Sequence, residues 1–166
     1  MSRGLRIGLL ASAPLAAALA GMIIGSVELP ARDLITAMFG QGSESAELIV
    51  GLRGPRVLLA ALVGGGLALA GAVSQALLRN PLAEPYILGV SAGAAAGAVG
   101  VLALGWSTLV SWSLPVAAFA GALLAIGLVF GVAAAADRQL DVRVLLLAGV
   151  VISAFFSAVI ALVLSL

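Results

Sequence analysis

The chain contains no cysteine and no histidine, and each absence excludes a class of chemistry. Without cysteine there is no disulfide, no thiolate metal site and no cysteine nucleophile. Without histidine the chain lacks the commonest metal ligand, proton shuttle and general base. The sequence therefore predicts that the protein is not an enzyme, and it predicts no resident cofactor or metal.

Charged residues are also scarce, at 9 % of the chain, whereas hydrophobic residues make up 63 % and the mean hydropathy is +1.28. Because soluble domains carry about a quarter charged residues, this composition predicts an integral membrane protein in contact with a lipid bilayer. The net charge of +1 provides no basic surface for nucleic acid. Glycine is abundant, with 21 residues, which favours closely packed helices over a lipid-facing barrel.

Five apolar spans of about the length that a helix needs to cross a bilayer follow one another along the chain. They cover residues 7–27, 57–78, 87–104, 114–136 and 144–166. This pattern predicts a single all-α membrane domain over residues 1–166. The hydrophilic stretch 28–56 has Pro30 before an amphipathic segment and Gly40 after it, which predicts a short interfacial helix in a periplasmic loop.

The arginines predict the orientation of the chain, since cytoplasmic loops carry the excess of positive charge. With the N-terminus inside, the cytoplasmic set is Arg3, Arg6, Arg79, Arg138 and Arg143, and the outer set is Arg32, Arg53 and Arg56. We therefore predict a cytoplasmic N-terminus. The segment Ala18-Leu19-Ala20 has the character of a signal cleavage site, but the apolar run continues through Ile24, which favours a retained helix.

The turn between the second and third spans carries the most informative motif. It reads Gln75-Ala76-Leu77-Leu78-Arg79-Asn80-Pro81-Leu82-Ala83-Glu84-Pro85-Tyr86-Ile87-Leu88-Gly89. Together with Arg53, Arg56, Gly64, Gly71, Gly93, Ala94 and the run Leu145-Leu146-Leu147-Ala148-Gly149, it resembles the permease subunits of ABC importers for iron-siderophores, haem and cobalamin. The resemblance implies that five transmembrane helices form one inverted-repeat half of a ten-helix permease. The apolar end at Leu166 leads us to expect the N-terminal half of such a protein.

The resemblance also implies the surroundings of the chain. It implies a multi-pass protein of the bacterial inner membrane with three protein partners, namely a cytoplasmic ATP-binding subunit, an extracytoplasmic substrate-binding protein and a second permease subunit in a homodimer. The chain has no G-x-x-x-x-G-K-[ST] motif, so the ATPase would be a separate subunit. A non-transporting fragment that only inserts and packs is the alternative, and an intramembrane enzyme is disfavoured by the absence of histidine and cysteine.

Several residues are candidates for function. In the resembled permeases the turn between the second and third spans lies at the cytoplasmic mouth, which implies gating roles for Asn80 and Leu82, and the loop before the fifth span adds Val142 and Arg143. The alternative for Asn80 and its neighbours is a simple helix stop, since Pro81 disfavours helix at the preceding residue.

The remaining candidates lie within or at the ends of spans. Gln75 is an amide one turn inside the membrane, where it would serve as interhelical glue or line a pathway, and Gly89 and Gly93 are candidates for close helix packing or pathway lining. Arg53 and Arg56 sit at the outer end of the second span. They would either anchor the helix at the lipid headgroups or steer an acidic binding protein to its docking site.

Overall fold

The computed structural model describes residues 2–25, 27, 30–137 and 140–165. The regular structure of these residues is helical throughout, which confirms the all-α prediction. The chain divides into two compact units, Met1–Leu69 and Ala70–Leu166. Because the boundary falls inside a continuous helix, the single membrane domain stays a prediction, and the two units are described separately.

The first unit contains α1 (Arg3–Ile23), α2 (Ala31–Met38) and the first part of α3 (Glu44–Leu78). The short helix α2 follows Pro30, and two residues after its last residue Met38 the chain reaches Gly40, whose φ of 68° is left-handed. The amide of Gly40 donates to the Ala37 carbonyl (3.1 Å) and the amide of Gln41 to the Thr36 carbonyl (2.9 Å). This pair of bonds is a Schellman motif, in which glycine is favoured because it has no Cβ.

Two helix boundaries in this unit differ from the sequence-based prediction. The first helix ends at Ile23 rather than near Val27, because the chain turns out of the helix there and Ile24 is extended. The helix predicted to begin at Val57 begins at Glu44, so residues 44–56 of the predicted loop are helical. Glu44 and Glu47 suit a first turn because acidic groups are favourable at the positive end of the helix dipole.

The early start makes α3 far longer than a membrane requires. With 35 residues it extends for about 52 Å, whereas the hydrocarbon core of a bilayer is about 30 Å thick. The charged N-terminal part of α3 therefore reaches beyond the apolar layer. It carries Ala46, which is buried, and α2 carries the buried residues Leu34 and Ala37.

The second unit contains the end of α3, then α4 (Val90–Ala103), a short 3-10 helix (Trp106–Thr108), α5 (Ser113–Ala136) and α6 (Val142–Leu164). Helix α4 packs against both α5 and α6. The core that they enclose is made of Leu88, Ala125, Val129, Ala133, Leu145, Ala148, Ile152 and Phe156. This core lies in the only part of the described chain where three apolar helices pack together.

Among the described residues, four helices are long and apolar enough to cross a membrane, namely α1, α3, α5 and α6. The third predicted span corresponds to α4, which has 14 residues and covers about 21 Å. It begins at Val90 rather than Ile87 because residues 84–89 form consecutive turns, with the amide of Ile87 bonded to the Glu84 carbonyl (3.4 Å) and that of Gly89 to the Tyr86 carbonyl (3.1 Å).

Glycines bring α4 and α5 into backbone contact. A Cβ added at Gly93 would overlap the carbonyl of Gly121 and the side chain of Ala125, and one added at Gly97 would lie 2.9 Å from the carbonyl carbon of Ala117. Since real Cβ atoms do not approach backbone so closely, the two helices can adopt this separation only with glycine at these positions. Small residues at helix interfaces are the usual means of close packing in membranes.

Candidate functional site

The turn after α3 begins with a left-handed arginine. Arg79 has a φ of 49°, its amide donates to the Ala76 carbonyl (3.4 Å), and the amide of Asn80 donates to the Gln75 carbonyl (3.1 Å). These bonds close α3 with a Schellman motif that has arginine where glycine is usual. The arrangement aims the chain out of the helix immediately before Asn80.

Asn80 then organises the tip of the turn. Its Oδ1 accepts a hydrogen bond from the Leu82 amide at 2.9 Å, and its carbonyl accepts one from the Ala83 amide at 3.1 Å. The side-chain bond is an Asx turn, which asparagine forms readily. Ala83 is buried whereas Leu82 is 84 % exposed, so the turn holds a large apolar side chain at the surface of the second unit.

The far end of the same turn is fixed to α6. Leu88 is buried in the core, and Gly89 adopts a left-handed φ of 77° directly before α4. A Cβ added at Gly89 would lie 3.0 Å from the Ser153 Oγ, and one added at Gly149 would lie 2.7 Å from the Ile87 carbonyl oxygen. The turn is therefore anchored at both ends, while its tip at Leu82 is exposed.

A charged cleft lies beside the end of α3. Its volume is about 560 Å³, and its lining is formed by Leu77, Arg79, Leu140, Asp141, Val142 and Arg143. We call the space lined by these six residues the charged cleft. It brings together Arg79 and the two gate candidates Val142 and Arg143. Arg138, which we predicted on the same side of the membrane, lies outside the described residues.

The N-terminus of α6 forms one wall of the charged cleft. Asp141 precedes α6, and its Oδ1 accepts the Arg143 amide at 2.8 Å, which makes it the N-cap of the helix. Leu140 has a left-handed φ of 52°, an uncommon conformation for a residue with a branched side chain. Two left-handed residues other than glycine, Arg79 and Leu140, therefore line the same cleft.

Gln75 and Gly93 have different environments. The side chain of Gln75 is exposed on this chain, so its role as interhelical glue stays a prediction. Its backbone carbonyl accepts the Asn80 amide in the Schellman motif that ends α3. Gly93 is buried at the α4–α5 contact, so its visible role is packing, and pathway lining stays a prediction for both residues.

The two arginines of α3, Arg53 and Arg56, also differ from each other. The guanidinium of Arg53 donates through Nη1 to the carbonyls of Met22 (2.9 Å) and Ile23 (3.3 Å), and through Nη2 to the carbonyl of Val27. Arg56, one turn further along α3, is exposed. This difference has no signal in the local sequence, because the partners of Arg53 are backbone atoms 26 to 31 positions away in the chain.

Apolar helices long enough to cross a membrane, with polar groups concentrated at a turn and a cleft beside helix ends, define a multi-pass membrane protein. Within that class the chain belongs to the FecCD transport family, whose family model matches residues 13–166. The match takes in α2 to α6 and the second half of α1. It confirms the resemblance to ABC-importer permeases that the sequence motifs indicated.

Three curated relatives give the same result. The chain is 38 % identical over 157 residues to the uncharacterized ABC transporter permease protein YvrB of Bacillus subtilis, covering 88 % of this chain and 44 % of the relative. It is 42 % identical over 154 residues to the achromobactin transport system permease protein CbrC of Dickeya dadantii, covering 92 % and 44 %. It is 41 % identical over 142 residues to the cobalamin import system permease protein BtuC of Halobacterium salinarum, covering 83 % and 37 %. The chain thus spans less than half the length of these relatives.

Proposed function

We propose that this chain is part of the permease of an ABC importer that carries an iron-siderophore, haem or cobalamin type of substrate across the bacterial inner membrane. The observation that carries the proposal is the family match over residues 13–166. Relatives named for achromobactin and for cobalamin support this class of bulky substrate. The energy for transport comes from a separate ATP-binding subunit, and the permease works as a homodimer.

The turn from Arg79 to Gly89, which we call the Asn80 turn, is the gate of this proposed pathway. A gate must present an apolar side chain that can close against the second permease subunit. The backbone that carries this side chain must also be held in a fixed position. Leu82 meets the first requirement because it is exposed. The hydrogen bond that Asn80 accepts from the Leu82 amide, together with the burial of Ala83 and Leu88, meets the second. Val142 and Arg143 line the neighbouring cleft and take part in the same inner gate.

The orientation that we propose places the N-terminus, the Asn80 turn and the charged cleft in the cytoplasm. The excess of arginine on that side supports this assignment, and α2 with the charged start of α3 then faces the periplasm. An extracytoplasmic substrate-binding protein docks on the outer face. Arg56 is the exposed arginine there that can attract acidic groups of that protein.

The experiment is transport by the complete permease that contains this chain, reconstituted in vesicles with its ATPase and binding protein. Uptake of cobalamin, haem and ferric siderophores is measured separately, with and without ATP. We expect ATP-dependent uptake of one substrate class. An assembled complex that hydrolyses ATP but takes up none of the three would contradict the proposal.

A further inference from the structure

The connection between α4 and α5 presents large apolar side chains at the surface of the second unit. We call residues 104–112 the Trp loop, because they contain both tryptophans of the chain, Trp106 and Trp112. Leu109 is 78 % exposed and Trp112 is 76 % exposed, and Trp106 and Val110 are exposed as well. A contiguous group of exposed apolar side chains indicates a surface that contacts a protein or a membrane.

The Trp loop lies within the longest uncharged stretch of the sequence. No Asp, Glu, Lys or Arg occurs between Glu84 and Asp137, whereas the other two connections of the second unit contain charged residues such as Arg79 and Asp141. Protein–protein interfaces usually have a polar rim around their apolar core. An exposed apolar loop without any charge therefore favours lipid over a protein as the contact.

Helix lengths also place the Trp loop at the depth of the membrane surface. The 14 residues of α4 cover about 21 Å and the 24 residues of α5 about 36 Å, whereas the hydrocarbon core is about 30 Å thick. Uncharged residues beyond the end of α4 have to complete the apolar layer. Trp112 is the N-cap of α5, and tryptophan is enriched where membrane-spanning helices meet the lipid headgroups.

The hydrogen bonds of the Trp loop suit the same position. The amides of Leu109 and Val110 both donate to the Trp106 carbonyl at 3.1 Å, and the Thr108 Oγ1 donates to the Gly105 carbonyl at 2.7 Å. A segment near lipid needs such internal partners, because hydrocarbon offers none. Neither indole N–H donates to any residue that the structure describes. An indole of this kind suits an interface where its ring is apolar and its N–H meets polar groups.

We propose that the Trp loop is a membrane anchor that inserts into the headgroup region of the bilayer, at the end of α4 remote from the Asn80 turn. The ester carbonyls and phosphates of the lipids accept the indole N–H groups, and the side chains of Leu109 and Val110 contact the upper part of the acyl chains. The anchor thereby sets the depth of α4, which begins directly after the Asn80 turn. It does not depend on the proposed transport function.

Tryptophan fluorescence of the chain reports on this loop alone, because the chain has no other tryptophan. The chain is reconstituted in phosphatidylcholine vesicles. Quenching is measured with lipids brominated near the glycerol end of the acyl chain, with lipids brominated near its methyl end, and with acrylamide in the water. The variants Trp106→Phe and Trp112→Phe each leave one tryptophan, so that the depth of each ring is measured separately.

We expect both tryptophans to be quenched most by the lipid brominated near the glycerol end, and to be largely protected from acrylamide in comparison with free tryptophan amide. Full quenching by acrylamide would overturn the anchor, because it would place the loop in water. Stronger quenching by the lipid brominated near the methyl end, or no quenching by either lipid, would overturn it as well.

A charge in the loop provides a second measurement. Leu109→Asp should lower quenching by the shallow brominated lipid and raise quenching by acrylamide, because a carboxylate is costly in lipid. Leu82→Asp is the matched control, since Leu82 is similarly exposed but lies in the Asn80 turn, and it should change neither value. An equal change in both variants, or none in Leu109→Asp, would contradict the anchor. Alkali extraction verifies insertion, and the wild-type quenching decides the proposal where a variant does not insert.

The complete permease tests whether another protein covers the loop instead of lipid. A nitroxide is attached at position 109 of the Leu109→Cys variant. Its collisions with oxygen, which dissolves in lipid, are compared with its collisions with a nickel chelate, which stays in water. We expect high access for oxygen and low access for nickel, with no change when the purified substrate-binding protein is added. Low access for both reagents, or a loss of access on adding that protein, would indicate a protein contact and overturn the anchor.

Discussion

Replacing Gly97 by alanine tests whether backbone contact between α4 and α5 stabilises the second unit. An added Cβ would lie 2.9 Å from the carbonyl carbon of Ala117 and closer still to its oxygen, and these are backbone atoms that cannot rotate away. Gly100 on the same helix is the matched control, because a Cβ there would meet none of the described residues within 4 Å. Both changes gain the same helix propensity, about 1 kcal/mol.

The difference between the two variants therefore isolates the steric overlap. Overpacking in a close-packed interior costs about 1–3 kcal/mol, so Gly97→Ala should be less stable than Gly100→Ala by that amount. Reversible unfolding of the chain by SDS in mixed micelles measures both free energies. Equal stability of the two variants would refute the view that α4 and α5 meet through their backbones.

Three further predictions address the turn and the orientation. Leu82→Asp should reduce ATP-driven uptake by the complete permease while leaving insertion intact, because a charge near the membrane edge is tolerated, and unchanged uptake with unchanged ATP hydrolysis would reduce the turn to a helix cap. Asn80→Ala should lower the unfolding free energy by about 1 kcal/mol through loss of its bond to the Leu82 amide, measured by the same SDS titration, with Asn80→Asp retaining the acceptor. A reporter fused near Gln41 should be periplasmic and one near Arg138 cytoplasmic, and the reverse pattern would overturn the orientation.

Composition and motif spacing were sufficient to predict the fold class and the position of the polar turn. Long apolar runs can satisfy their backbone polar groups in a bilayer only as helices, so the helices α1, α3, α5 and α6 follow from hydropathy alone. Pro30 and Gly40 likewise indicated α2, since proline suits the start of a helix and glycine its end. In these places local chemistry and the membrane environment favour the same structure.

The length of α3 could not be predicted in the same way. Hydropathy indicates only the part of a helix that lies in lipid. The helical backbone hydrogen bonds can continue beyond that part into a polar stretch of sequence. Residues 44–56 contain Pro55 and several charges, which resembled a loop in the sequence, but the helix continues through them. Ala46 within this segment is buried, and such burial has no signature in the local sequence.

Glycine shows most clearly how one residue type takes different roles. A glycine within a helix costs about 1 kcal/mol relative to alanine, and at Gly97 and Gly121 close contact between α4 and α5 offsets that cost. At Gly64, Gly65 and Gly66 of α3 a Cβ would meet nothing within 4 Å among the described residues. Gly97 and Gly121 thus allow the close separation of α4 and α5. Gly64, Gly65 and Gly66 leave that part of the α3 surface without side chains and locally lower the stability of the helix. A regular spacing of small residues predicts that two helices can approach each other closely. Whether they do so depends on the direction in which the connecting turns lead each helix. For α4 this direction is set by the turn from Arg79 to Gly89, which is anchored at both ends.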